Sequence, residues 1–267
     1  MADAGTRSLV LQRSIILALL IAIAAAWAML VWQQMSMDTG MGMVMNTPTM
    51  GMRAPLFLAV WVIMMVAMMF PTAAPMILTF HRVQAGKRTR GESFVSTWVF
   101  VAAYMLVWGV SGILAYAGAV GAEAIAAAAN ISGATAARIG GLVLILAGAY
   151  QLSSLKDLCL AKCRTPIAFI LTSWRDGNMG AVRMGIEHGF FCLGCCWLLF
   201  LILFPLGIMN IAAMALVTLL VFAEKALTAG DRIAQAAGIV LMLYGVVVIV
   251  FPQALPTFMA AGGMSMN

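Results

Sequence analysis

Thiols, one imidazole and thioethers recur at helical spacing in a chain that is otherwise almost wholly apolar. In the run from Met184 to Trp197, His188 precedes Cys192 by four residues. Cys195 and Cys196 follow Cys192 by three and four. On a helix this spacing stacks the imidazole and the thiols along one face. Cys159 and Cys163 form a second pair four apart. Upstream, Met64 and Met68, and Met65 and Met69, are each one turn apart, so two adjacent thioether stripes form, with Met76 beyond them. Pro71 and Pro75 are expected to kink this helix or open it locally, exposing carbonyls. Residues 33–52 hold Met35, Met37, Met41, Met43, Met45, Met50 and Met52 among Gly, Thr and Pro, with no core-like periodicity. Met259, Met264 and Met266 repeat the theme near the C-terminus. Thioether and thiolate are soft donors that select Cu(I) or Ag(I) over harder ions. Zinc suits Cys and His as well, but it leaves the methionines unexplained. The competing reading is packing, since Met fills irregular gaps and a buried Cys behaves as a small hydrophobe. A structural disulfide between Cys159 and Cys163 is not expected on a cytosolic face, where thiols stay reduced.

The elements that carry these groups follow from composition. Of 267 residues, 64% are hydrophobic and 9% charged, with a mean hydropathy of +1.05. A soluble domain carries about a quarter charged residues, so a soluble enzyme, a disordered chain and a nucleic-acid-binding module are excluded. Seven stretches approach the roughly 20 apolar residues of a transmembrane helix: 14–32, 55–80, 94–118, 136–155, 183–204, 207–223 and 233–251. Segment 121–132 is too short and reads as an amphipathic helix at a membrane surface. The first span reads as an uncleaved anchor. With the N-terminus cytoplasmic, the inner segments hold every Lys and Arg except Arg53 and Arg138, out of 15 in all. Cytoplasmic loops are expected to carry that excess. The net charge of +6 therefore marks one membrane face and requires no nucleic acid. The fold expected is all-α: one polytopic transmembrane bundle over 1–267, about 7 spans, N-terminus cytoplasmic and C-terminus periplasmic. It has a Met-rich outer loop at 33–54 and a cytoplasmic Cys-containing loop at 156–182. Counting about 1.5 Å per residue from Arg183, the thiols lie roughly 14–20 Å deep, near the depth of Met64–Met69. A mid-membrane thiol and thioether site then requires the second and fifth spans to touch. Small residues inside spans (Gly109, Gly112, Gly140, Gly141, Gly148, Gly185, Gly189) mark close helix approach.

Several of these runs occur together and in order: Met64-Met65-Val66-Ala67-Met68-Met69-Phe70-Pro71; Cys159-Leu160 through Cys163-Arg164-Thr165-Pro166; and Glu187-His188-Gly189-Phe190-Phe191-Cys192-Leu193-Gly194-Cys195-Cys196-Trp197. Met209-Asn210 and Glu224-Lys225 follow. In this the chain resembles, over about residues 55–250, an uncharacterised bacterial family of predicted metal-binding integral membrane proteins. The resemblance implies a multi-span protein of the bacterial inner membrane with a metal site. The Met-rich outer loop rests on this sequence alone.

The leading expectation is a membrane protein that binds a soft metal, Cu(I) foremost, for uptake, transfer or delivery to another membrane or periplasmic protein. Its ligands would be His188, Cys192, Cys195, Cys196, Met64, Met65, Met68 and Met69, with Met35, Met37, Met41, Met43 and Met45 outside and Cys159 and Cys163 inside. Thioethers outside and thiols deeper form a ladder of rising Cu(I) affinity. No GxxxxGK[ST], no GxGxxG after a strand and no HExxH is present, which favours a non-enzyme with no catalytic residues. The alternatives are a non-catalytic subunit or assembly factor of a larger membrane complex, and a thiol redox protein using a quinone.

Overall fold

The computed structural model describes residues 2–38 and 47–257, with side-chain surroundings from Gln12 to Ser36 and from Thr47 to Thr257. Among these residues the fold is all-α. Its elements are α1 (Ala2–Asp38), α2 (Ala54–Thr89), α3 (Thr97–Ala128), α4 (Gly133–Gln151), α5 (Ser154–Arg164), α6 (Pro166–Ser173), α7 (Gly177–Leu201), α8 (Leu203–Leu206), α9 (Ile211–Ala226) and α10 (Gly230–Val250). Six helical stretches among the described residues are long and apolar enough to cross a membrane: Gln12–Ser36, α2, α3, α4, Gly177–Leu206 and α10. Their outward faces stay apolar, with Leu17, Leu114, Leu142 and Leu243 all exposed. A water-facing surface rarely presents apolar groups so densely.

The seventh expected span corresponds to α9, whose 16 residues extend only about 24 Å. It nevertheless joins the two ends of the bundle. The Ile211 backbone N–H at its start donates to Gln34 Oε1 of α1, while Glu224 near its end meets Gln151 at the end of α4.

Three expectations about boundaries are corrected. Residues 121–128 continue α3 and form no separate surface helix, because an Ala-rich run has high helix propensity and no proline precedes Asn130 there. Asn130 itself adopts a positive φ of 47° and turns the chain. The outer loop begins later than residue 33, since α1 runs to Asp38 and carries Met35 and Met37. Met41, Met43, Met45, Met259, Met264 and Met266 lie outside the described residues. The 156–182 loop is not a free loop. It contains α5 and α6, and Lys156, Leu160, Phe169 and Ile170 are buried.

Close packing falls on the glycines. A Cβ at Gly148 would lie 2.5 Å from Gly238 O, and one at Gly141 2.8 Å from Gly245 O, so α4 and α10 touch backbone to backbone. Gly185 abuts Phe100 O and Gly189 abuts Val107, which sets α3 parallel to α7. Both prolines of α2 sit inside a helix that stays continuous. Pro71 cannot bond the carbonyl of Ala67 four residues earlier. Trp27 Nε1–H of α1 donates to that carbonyl at 3.1 Å, so the missing backbone bond is replaced from a neighbouring helix.

The second and fifth spans, whose contact a shared thiol and thioether site would require, are not each other's main neighbours. α2 packs mainly on α1, α3 and α9, and α7 mainly on α3 and α5. The helices also differ in reach. α4 and α9 stop level with Cys192 and Gly194, as three contacts report: Tyr150 O–H to Gly194 O, Lys225 Nζ to Cys192 Sγ at 3.1 Å and Lys225 Nζ to Thr72 Oγ1 at 3.4 Å. α2 and α7 continue roughly 20–25 Å past that level. α5 and α6 pack into the step so formed.

Candidate metal centre

The step is where the cysteines meet. α5 carries Cys159 and Cys163, α7 carries Cys192, Cys195 and Cys196, and all five are free thiols. Ser153 caps α5 by accepting the Lys156 backbone N–H, and Leu160 anchors the helix from its buried face. Cys163 then reaches Cys192 and Cys195. The nearness of those two side chains, with burial, holds the Cys163 thiol well above its usual range. Cys159 lies against Gly194, where an added Cβ would come within 2.8 Å of its sulfur. Burial and the proximity of Cys195 raise the Cys159 thiol as well. The two cysteine groups that read as separate in the sequence are thus one cluster.

On α7 the thiols turn inward. Cys195 Sγ and Cys196 Sγ both donate to the Cys192 carbonyl, at 3.1 and 2.8 Å. Cys192 Sγ faces Tyr104 Oη at 3.2 Å and the Lys225 ammonium at 3.1 Å. Among the described residues no three His, Cys, Asp or Glu side chains are gathered into a preformed ligand set. Closing the thiols on one ion requires Cys195 and Cys196 to rotate about χ1 away from the carbonyl.

The remaining expected ligands divide by position. His188, one turn before Cys192, is buried between Phe100, Tyr104 and Phe169, with ring centroids 6.1, 5.7 and 5.4 Å away. Its Nδ1 has no partner. Met65, Met68 and Met69 are fully buried. Met69 approaches the cluster through Thr72, whose hydroxyl bonds the Met69 carbonyl and accepts from Lys225. Met64 instead faces the opposite end, beside Met209. Met35 is exposed on α1.

Lys225 is the residue the sequence reading undervalued. Adjacency in sequence suggests that it pairs with Glu224 or other neighbours at the inner surface. Glu224 is engaged elsewhere, accepting from Lys156 Nζ at 2.7 Å and from Gln151 Nε2 at 2.8 Å, and all three side chains are buried. The signal was present: a Lys immediately after a Glu at the end of an apolar run cannot share its partner once the two point to different faces.

Residues 58–248 match the PpoB2 family, described as copper chaperone. The chain belongs to that family. The matched residues include α5, α7, α9 and most of α2, and therefore all five cysteines. A copper-related role and an interacting partner protein accord with the family description. No curated protein and no solved structure matches the chain.

Proposed function

We propose that this protein is a membrane-embedded copper chaperone that holds Cu(I) at the junction of α5, α7 and α9 and passes it to a partner protein. The observation that carries the proposal is the convergence of Cys163, Cys192 and Cys195 from two helices beside Lys225. Cu(I) bound by two thiolates leaves one net negative charge, and an adjacent ammonium offsets it. A charged group in a low-dielectric site persists only when paired in this way. Cys196 and His188 lie within one turn of Cys192 as further donors. The half-buried Cys159 and Cys163 lie toward the surface. Because a thiol-bound soft ion moves by exchanging one sulfur for another, these two provide the step between the buried sulfurs and a partner.

The apolar outer faces and the basic end support a multi-pass protein of the bacterial inner membrane with the N-terminus inside. α4 and α10, about 28 and 31 Å long, match the roughly 30 Å hydrocarbon core. The cysteine cluster then sits at the cytoplasmic boundary of the membrane, not at mid-depth. Met65, Met68 and Met69 line the approach to it from the outer side, and Met35, Met37, Met41, Met43 and Met45 serve as outer collectors. The test is copper content after anaerobic loading in detergent. Wild type is expected to retain Cu(I) that Cys192→Ser and Cys163→Ser each lose. Full retention in both variants overturns the proposal.

A further inference from the structure

At the other end of the bundle lies a second grouping of soft donors. Met50 and Met52 come from the turn before α2, Met64 from α2, and Met209 from the turn between α8 and α9. With Phe57, Val60, Trp61 and Ile208 they enclose a cavity of about 10 Å³, the size of one water-sized body. All four methionines are buried, at 6%, 7%, 2% and 2% exposure. No side chain lining the space offers a strong hydrogen-bond acceptor, and the Trp61 indole N–H is already donated to Trp108 O. A water there would lack partners, whereas a soft cation would meet thioethers.

The turn over the cavity is held in place at a cost. Met50 adopts a φ of +51°, in the left-handed region where side chains other than Gly and Asn are disfavoured. Glu123 of α3 fixes the turn by accepting both the backbone N–H and the hydroxyl of Thr49 at 2.7 Å. Backbone strain persists where surroundings impose it and often marks a working site. Here it directs a methionine inward and keeps a carboxylate one residue away.

We propose that Met50, Met52, Met64 and Met209 form a thioether site for a monovalent soft metal ion, Cu(I) or Ag(I), distinct from the cysteine cluster. A divalent ion is disfavoured, because neutral ligands leave both of its charges uncompensated in an apolar space. The site deepens the copper-chaperone reading by supplying an entry station, and it depends on that reading for its role but not on the thiols. Met64 also begins the stripe that continues one turn on at Met68.

The test uses the full chain in detergent with Cys159, Cys163, Cys192, Cys195 and Cys196 all replaced by Ser, titrated with Ag(I). Thioethers carry no titrating proton. One equivalent is therefore expected to bind with the same affinity at about pH 5 and about pH 7.5, where thiolate sites differ. Adding Met52→Leu and Met209→Leu, which conserve volume, is expected to weaken it at least about tenfold. Replacing Met35, Met37, Met41, Met43 and Met45 by Leu is expected to leave it. The same substitutions in the wild-type chain at about pH 5 serve if the thiol-free chain does not fold, with loss of one equivalent as the readout. Undiminished binding after Met52→Leu and Met209→Leu overturns the site. Retention of this equivalent in a wild-type chain that shows no thiol-dependent copper overturns the cysteine proposal and leaves this one standing.

Discussion

Lys225 decides whether the cysteines act as ligands or as packing. A buried Cys needs no cation beside it, since a neutral thiol packs as a small hydrophobe. The ammonium 3.1 Å from Cys192 Sγ instead stabilises negative charge there. Lys225→Met should therefore weaken Cu(I) binding by about ten- to a hundredfold, or about 1.4–2.8 kcal/mol. Lys225→Arg should restore much of it, measured by competition with a Cu(I) chelator. Equal affinity in Lys225→Met would assign the lysine to packing alone. Residue types and spacing made the cysteines, His188 and the methionines legible as soft donors. The Cys163 contact with Cys192 was not legible, because 29 positions separate them and nothing local says that α5 folds back into a step. The mid-membrane depth expected for the thiols rests on counting from Arg183 as the surface. α7 in fact begins about 22 Å before Cys192, and its neighbours α4 and α9 end beside that cysteine.

At the scale of elements, the expected close approach is found at Gly112, Gly140, Gly141, Gly148, Gly185 and Gly189 but not at Gly109, which faces open space. Gly141 and Gly148 on α4 face Gly245 and Gly238 on α10, each near a backbone oxygen. Without water to drive helices together, such packing supplies much of the association in a bilayer. Gly148→Val should push α4 from α10 and destabilise the fold by about 1–3 kcal/mol. Gly109→Ala, on α3 with nothing within 4 Å of an added Cβ, should be neutral or stabilise by up to about 1 kcal/mol through helix propensity. Thermal unfolding in detergent compares the two, and equal midpoints would show that α4 and α10 tolerate separation. The prolines of α2 were legible as a weak point but not their remedy, since the donor to Ala67 O is an indole on α1, 40 residues away in sequence. The end of α3 was missed for a similar reason. Segment 121–132 reads as a separate surface helix because it is too short to span, whereas the alanine-rich backbone continues α3 to Ala128.

For the whole molecule, the face on which α9 ends fixes the side on which the proposed copper transfer occurs. Its 16 residues are short for a bilayer core, and by length alone the chain has six candidate spans among the described residues. Side-chain pairing argues for seven traverses. The α9–α10 turn lies by Arg164, whose guanidinium bonds Leu227 O and pairs with Asp231. Lys87 at the end of α2 pairs with Asp176 at the start of α7. Thus α2, α4 and α9 end, and α3, α7 and α10 begin, toward one basic side. α9 is short because that side is stepped: α4 and α9 reach only the level of Cys192, while α5 and α6 fill the space below. Single cysteines in a chain otherwise lacking them test this in intact cells with a membrane-impermeant maleimide. Ser132→Cys, in the turn between α3 and α4, should label from outside. Ser93→Cys and Ala229→Cys should label only after permeabilisation. Labelling of Ala229→Cys from outside would mean that α9 does not end on the cytoplasmic side. It would also put Lys225 and the cysteines near the outer face, and so reverse the direction of the proposed copper transfer.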